Sequence, residues 1–102
     1  MVYADEFART GFQGGLQWYR CMVGKYPTEL QTFSGRSIDV PACFIAGKRD
    51  WGVYQFPGAF ELMQSRACTQ WRGAHLLERA GHWVQQEQPE EVAALLLDFL
   101  RS

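Results

Sequence analysis

Apolar residues recur at a helical spacing in the first part of the chain. One stripe falls on a single side of a helix and consists of Phe12, Leu16, Tyr19 and Val23. This stripe predicts a helix from Gln13 to Val23 that ends at Gly24. A shorter helix is predicted from Ala4 to Thr10, with acidic residues in its first turn and Gly11 as its stop.

The apolar pattern changes further along the chain. Residues 25–37 are mixed and are broken by Pro27 and Gly35, so we expect a connector with at most one helical turn. The run from Ala42 to Ala46 is then apolar on both faces, which is typical of a parallel strand covered by helices on each side. A second short strand is predicted from Ala74 to Glu78.

Two more helices are predicted, one before and one after the second strand. The segment from Pro57 to Ala67 is predicted to be helical because proline fits the first turn of a helix. The last helix is predicted from Pro89 to Leu100, where Glu90 and Glu91 suit the N-terminal end of the helix dipole. Its apolar face consists of Val92, Leu95, Leu96, Phe99 and Leu100.

The order of these elements predicts an α/β fold. Residues 1–37 form a helical segment with its connector, and residues 38–102 form a βαβα unit of two parallel strands with a right-handed crossover. Two parallel strands are few for an open sheet, so one strand edge is expected to lack a partner. A free edge favours association, and closed homo-oligomers are the commonest way to cover one.

Composition excludes several classes of function. A hydrophobic fraction of 47% and an aromatic fraction of 15% indicate a folded protein. The net charge of −1 argues against nucleic acid and against a membrane surface as partners. The longest apolar run, Val92 to Leu97, is too short to span a bilayer, and the N-terminal residues do not form a signal peptide.

The cysteines indicate a reducing compartment. Cys21, Cys43 and Cys68 are odd in number and show no spacing typical of a metal site or a redox motif. We therefore expect reduced thiols in a cytoplasmic protein.

Two chemically useful side chains follow the two predicted strands. Asp50 lies in the turn after the first strand, and His82 follows Gly81 after the second. The carboxyl ends of parallel strands carry the functional loops of α/β sheets. An acid followed by a later histidine is the order in which α/β-hydrolases supply the last two members of a catalytic triad. Asp50 would orient the imidazole, and His82 would act as a general base.

Each candidate residue also has a structural interpretation. Asp50 is a residue type that caps backbone N–H groups in turns, and a histidine in a loop often only packs or caps. Tyr19 is either a half-buried core residue of its helical stripe or a phenol that hydrogen-bonds a developing alkoxide. His75 lies within the second strand without an evident partner, so we interpret it as structural or exposed.

Three segments resemble the epoxide hydrolases of the α/β-hydrolase superfamily. The segment Tyr3–Arg20 resembles the second half of that family's lid, and its core Gly-Leu-Gln-Trp-Tyr-Arg is similar to the lid motif that carries a ring-opening tyrosine. The segment Val40–Asp50 is similar to the strand and turn that supply the acid. The segment Gly81–Val92 is similar to the histidine loop and final helix. The chain as a whole resembles the C-terminal part of such an enzyme.

The resemblance implies roles for three residues. Tyr19 would activate the epoxide oxygen, Asp50 would be the acid, and His82 would be the base. In that family an aspartate attacks an epoxide carbon, and water activated by the His–Asp pair cleaves the resulting ester. The substrate implied is a small apolar epoxide, and no cofactor is implied.

The nucleophile of that family has no counterpart in this sequence. No aspartate here lies in a strand–Gly-x-Asp-x-Gly turn, and the first lid tyrosine and the oxyanion-hole loop are also unmatched. Met1 falls inside the lid-like segment, which indicates a truncated or split enzyme whose partner is the missing N-terminal half. Loss of a nucleophile costs on the order of a million-fold in rate, so the isolated chain is predicted to be inactive.

Two alternatives remain open at this stage. The first is a non-enzymatic remnant or interaction module that folds by self-association and retains the triad residues as relics. The second keeps the superfamily but changes the chemistry to that of a dehalogenase or an esterase. The Trp-Tyr-Arg setting of Tyr19 favours epoxides over halides.

Overall fold

A computed structural model describes residues 1–23 and 31–102. The chain separates into two compact units, Met1–Gly35 and Arg36–Ser102. The predicted helix end at Gly24 and the start of the predicted connector lie outside the described residues. No helix in the described part of the chain is long and apolar enough to cross a membrane.

The first unit contains two helices, α1 (Val2–Thr10) and α2 (Gln13–Val23). Both were predicted, and α1 begins two residues earlier than expected. Gly11 ends α1 with φ 71°, a left-handed conformation that glycine adopts at little cost. No residue of α1 or α2 is buried. The apolar stripe of α2 is therefore exposed.

The second unit follows the predicted order of strand, helix, strand and helix. Its elements are β1 (Ile38–Gly47), a 3-10 turn (Trp51–Val53), α3 (Ala59–Leu62) with a π-helical extension (Met63–Ala67), β2 (Cys68–Leu77), α4 (Val84–Glu87) and α5 (Pro89–Arg101). β1 and β2 pair in parallel, from Ile38 opposite Cys68 to Gly47 opposite Leu77. The predicted α/β class with two parallel strands is confirmed.

Both strands are longer than their apolar patterns indicated. The first half of β1 is exposed, as are Thr69, Gln70 and Arg72 of β2, so hydrophobic residues mark mainly the later halves. Polar side chains hold the early halves together, since the Gln70 side chain donates to the Asp39 carbonyl at 2.7 Å. Thr69 adds a bond to the Asp39 carboxylate at 3.0 Å. Hydrophobic periodicity cannot detect a strand that is held by such contacts.

The helices differ from the predictions mainly at their ends. The predicted start at Pro57 is wrong, because Gly58 turns the chain with φ 84° and α3 begins at Ala59. The start of α5 at Pro89 is confirmed. The short helix α4 was not predicted, since four residues leave too little room for an apolar repeat.

The hydrophobic core lies at the carboxyl ends of the strands. Its buried residues are Leu77, Ala80 and Val92, and the partly buried residues packed against them are Ile45, Val84 and Leu95. α5 thus turns only part of its predicted apolar face inward, and Leu96 and Leu100 remain exposed. The loops that follow the strands rest directly on this core.

Gly47 allows the closest approach between the two strand-end loops. A Cβ atom at this position would lie 2.2 Å from the Gly81 carbonyl oxygen and 2.3 Å from that of Ala80. Backbone atoms cannot move aside as the end of a flexible side chain can. Only glycine therefore fits between β1 and the loop after β2.

Gly47→Ala is expected to destabilise the chain by about 1–3 kcal/mol, the range for overpacking a tightly packed site. Gly81→Ala is the matched control, because a Cβ there would meet the Glu87 carboxylate at an ordinary 3.5 Å. Urea unfolding followed by circular dichroism measures both. Equal stability of the two variants would contradict the close approach.

Candidate active site

Main-chain hydrogen bonds join the loop after β1 to the loop after β2. The Lys48 N–H donates to the Leu77 carbonyl at 2.8 Å, and the Arg49 N–H donates to the Ala80 carbonyl at 3.0 Å. The Lys48 ammonium also pairs with Glu78, and this hydrogen bond raises the pKa of Lys48 above 10.5. These contacts join the two loops immediately before Asp50.

Asp50 uses its two carboxylate oxygens for different partners. Oδ1 accepts the Gly52 N–H at 2.9 Å and so caps the 3-10 turn, while Oδ2 lies 3.0 Å from His82 Nδ1. The Gly52 N–H first, and His82 second, lower the pKa of Asp50 below its ordinary value of 3.8. Asp50 is therefore an anion near neutral pH and can stabilise a positive imidazolium.

The hydrogen bond to Asp50 also defines the state of the His82 ring. An ionised carboxylate only accepts hydrogen bonds, so Nδ1 must carry the proton in the neutral imidazole. Nε2 then keeps its lone pair and can accept a proton. The His82 side chain is 70% exposed, whereas that of Asp50 is only 12% exposed. The pair thus combines a shielded acid with an accessible base.

Besides Asp50, a second carboxylate contacts the loop that carries His82. Glu87 Oε2 accepts the N–H of Gly81, the residue before His82, at 2.9 Å. The one-turn helix α4 places Glu87 there, because the Glu87 N–H donates to the Trp83 carbonyl at 2.9 Å. Sequence reasoning missed this residue, since α4 was not predicted and no spacing rule marks the contact.

Comparison with known proteins shows what the chain is similar to. The chain is 43% identical over 101 residues to epoxide hydrolase A of Mycobacterium tuberculosis, covering 96% of this chain and 29% of that protein. It is 42% identical over 98 residues to an epoxide hydrolase of Caballeronia sordidicola, covering 95% of this chain and 29% of that protein. No protein-family model matches the chain.

A solved structure agrees in fold. Potato (Solanum tuberosum) epoxide hydrolase I superposes with a TM-score of 0.78 at 33% identity, covering 98% of this chain and 32% of that one. The chain matches the C-terminal part of α/β-hydrolase epoxide hydrolases. The resemblance inferred from the lid-like, acid and histidine segments is confirmed. The chain spans less than a third of the length of these epoxide hydrolases.

The structure brings together two of the three predicted site residues of this epoxide-hydrolase-like chain. Asp50 and His82 are in direct contact in the second unit. Tyr19 belongs to α2 of the first unit and is 65% exposed. It is therefore not a buried core residue of the chain. Its catalytic role, like those of Asp50 and His82, stays a prediction.

His75 lies apart from the Asp50–His82 pair. It is half-buried in β2, and it lines a cavity of about 260 Å³ between the sheet and α5 together with Cys43, Arg72 and Asp98. Neither Asp50 nor His82 lines this cavity. Within residues 1–23 and 31–102 no group of three or more His, Cys, Asp or Glu side chains could hold a metal ion.

The titration of Asp50 tests the geometry of the pair. His82→Ala is expected to raise the pKa of Asp50, because one of the two hydrogen bonds that lower it is removed. The ¹³C shift of the Asp50 carboxyl, followed by NMR against pH, gives the midpoint, which should lie below 3.8 in the wild type. His75→Ala is the control and should leave the midpoint unchanged.

The same shift implies an acid-dependent stability. Because folding lowers the pKa of Asp50, its contribution is complete above pH 3.8 and is lost as the pH falls through the lower folded value. Asp50→Asn should therefore reduce the loss of unfolding free energy at acid pH.

If His82→Ala leaves the titration midpoint of Asp50 unchanged, the contact between Asp50 and His82 is refuted.

Proposed function

We propose that this chain supplies the acid–base pair and a lid tyrosine of an epoxide hydrolase. In this proposal His82 is the base, Asp50 orients it, and Tyr19 holds the epoxide oxygen. The nucleophilic aspartate comes from sequence that corresponds to the remaining length of the relatives. The 3.0 Å contact between His82 Nδ1 and Asp50 Oδ2 is the observation that carries the proposal.

The pair is suited to the second half of the reaction. Opening of the epoxide by an aspartate leaves an ester between the enzyme and the substrate carbon. Water attacks the ester carbonyl while His82 Nε2 takes its proton, and Asp50 stabilises the imidazolium that forms. The tetrahedral intermediate then collapses: the bond to the diol oxygen breaks, this oxygen takes up the proton held by His82, and the aspartate carboxylate is restored. The free lone pair of Nε2 and its accessibility support this assignment.

Tyr19 is suited to the first half of the reaction. When the ring opens, negative charge develops on the epoxide oxygen, and a phenol O–H can donate to it. The exposed position of Tyr19 on α2 supports a role at a surface that meets substrate. A small apolar epoxide is the proposed substrate, since the named relatives are epoxide hydrolases. These relatives also favour epoxide chemistry over that of dehalogenases and esterases.

The aspartates of the chain are not placed to act as the nucleophile. Asp5 lies in α1, Asp39 in the early half of β1 and Asp98 in α5, and Asp50 is engaged with His82. Of these four, only Asp50 follows a strand, and both of its carboxylate oxygens are already engaged, by the Gly52 N–H and by His82. We therefore propose that the 102-residue chain alone does not hydrolyse epoxides.

Joining the preceding part of Mycobacterium tuberculosis epoxide hydrolase A to this chain is expected to give diol formation from an aryl epoxide. In this chimera His82→Gln should trap the covalent ester, seen by mass spectrometry as enzyme plus epoxide, while turnover falls by roughly 10⁶-fold. Tyr19→Phe should instead slow formation of the adduct. Chiral chromatography of the diol measures turnover.

His75→Gln in the chimera is the matched histidine control and should leave turnover unchanged. The isolated chain should form no diol above the rate in buffer. Adduct formation lost equally in the His82 and Tyr19 variants would argue against separate roles. Turnover by the isolated chain would show that it builds a nucleophile of its own.

The exposed apolar surface favours self-association as a second candidate function. Large hydrophobic side chains remain exposed in both units, among them Phe12, Trp18, Val40, Phe56 and Leu100. In the described part of the chain the sheet has only two strands, β1 and β2. We infer that an interaction module would cover these surfaces with a second copy of the chain.

Light scattering coupled to size-exclusion chromatography distinguishes this alternative. A module that folds by pairing should elute as a dimer whose mass does not change on dilution. Val40→Lys, on the exposed early half of β1, should lower the dimer fraction if that region is the contact, whereas Val2→Lys at an exposed position of α1 serves as control. A stable, well-dispersed monomer would exclude self-association.

A further inference from the structure

The loop that carries His82 is anchored unevenly. Up to Ala80 it is fixed by the core, since Ala80 is only 1% exposed and its carbonyl accepts the Arg49 N–H. Beyond Ala80 the chain leaves the core, and His82 itself is largely exposed. Its contact with Asp50 is a single hydrogen bond made by an exposed side chain, and such a contact holds only if the backbone keeps the partners in place.

Glu87 supplies the missing anchor at the exposed end of the loop. Its carboxylate accepts the Gly81 N–H at 2.9 Å and so closes a short ring of residues that contains His82. The adjacent Gln88 side chain donates to the Arg79 carbonyl at 3.3 Å. Consecutive residues at the end of α4 therefore hold the backbone on both sides of Ala80.

The Glu87 carboxylate binds the Ala80–Gly81 peptide, which lies just before His82. Gly81 directly precedes His82, so a rotation of the Ala80–Gly81 peptide alters the direction of the His82 side chain. The Ala80 carbonyl of this peptide accepts the Arg49 N–H at 3.0 Å, and the Glu87 carboxylate holds the opposite side of the same peptide through the Gly81 N–H.

We propose that Glu87 is a positioning residue whose hydrogen bond to the Gly81 N–H holds the histidine loop so that His82 presents Nδ1 to Asp50. The inference rests on the proposed function for its catalytic meaning. The geometric effect itself does not require substrate.

The tautomer of His82 reports this effect directly. In the wild type the contact with Asp50 should keep the neutral ring mainly as Nδ1–H, a ratio that ¹⁵N NMR measures. Glu87→Ala should lower the Nδ1–H fraction by about twofold or more, because the ring then leaves Asp50 in many molecules. If Glu87 only adds stability, Glu87→Ala would lower the melting temperature without changing the Nδ1–H fraction.

Two conservative variants separate the hydrogen bond from the charge. Glu87→Gln keeps an oxygen that can accept the Gly81 N–H, so it should retain the wild-type ratio. Glu87→Asp keeps the charge but is one methylene shorter, so it should behave like Glu87→Ala. If Glu87→Ala does not fold, the tautomer ratios of Glu87→Gln and Glu87→Asp are compared instead to test the positioning role. Glu91→Ala, an exposed acid in the first turn of α5, is the control and should change nothing.

The outcomes distinguish this inference from the proposed function. An unchanged tautomer ratio in Glu87→Asp and Glu87→Ala would overturn the positioning role. A ratio that falls equally in Glu87→Gln and Glu87→Asp would overturn the hydrogen-bond basis. If the ratios follow the expected order while the chimera forms no diol, the positioning role stands and the proposed function fails.

Discussion

The close approach of Gly47 to the backbone of Ala80 and Gly81 is the constraint on which the rest of the second unit depends. It allows the Lys48 and Arg49 N–H groups to reach carbonyls of the other loop. Those bonds bring the acid and the base, 32 residues apart in sequence, within hydrogen-bond distance. The core lies directly beneath this junction, so burial of Leu77 and Val92 also stabilises the candidate site.

Two interpretations of Asp50 that compete at the level of sequence turn out to be compatible. A carboxylate has two oxygens with several lone pairs, and here one oxygen caps the turn while the other meets the histidine. The capping bond makes the largest contribution to lowering the pKa of Asp50. The local turn thus favours the ionised form of Asp50, and the loop after β2 brings His82 to it.

Sequence patterns predicted the α/β class, the order of elements and the Asp50–His82 contact, because these depend on local periodicity and on where parallel strands end. They did not predict the early halves of the strands, which Asp39 and Gln70 hold through polar bonds. They also missed α4 and Glu87, whose contact with Gly81 depends on a single helical turn. The position of Tyr19 on an amphipathic stripe left its burial open, and the exposed side chain excludes a core role.

Because β1 and β2 pair in parallel, the distance between Asp50 and His82 depends on the register of the two strands. Gly47 faces Leu77 in the observed register, and Asp50 and His82 follow at fixed distances along the chain. A slip of two residues would keep every side chain on its own face of the sheet, yet it would displace one loop by about 6.6 Å. That displacement is longer than any hydrogen bond, so the contact between Asp50 and His82 would be lost. The candidate site therefore exists in only one alignment of the strands, although hydrophobic burial alone would tolerate others.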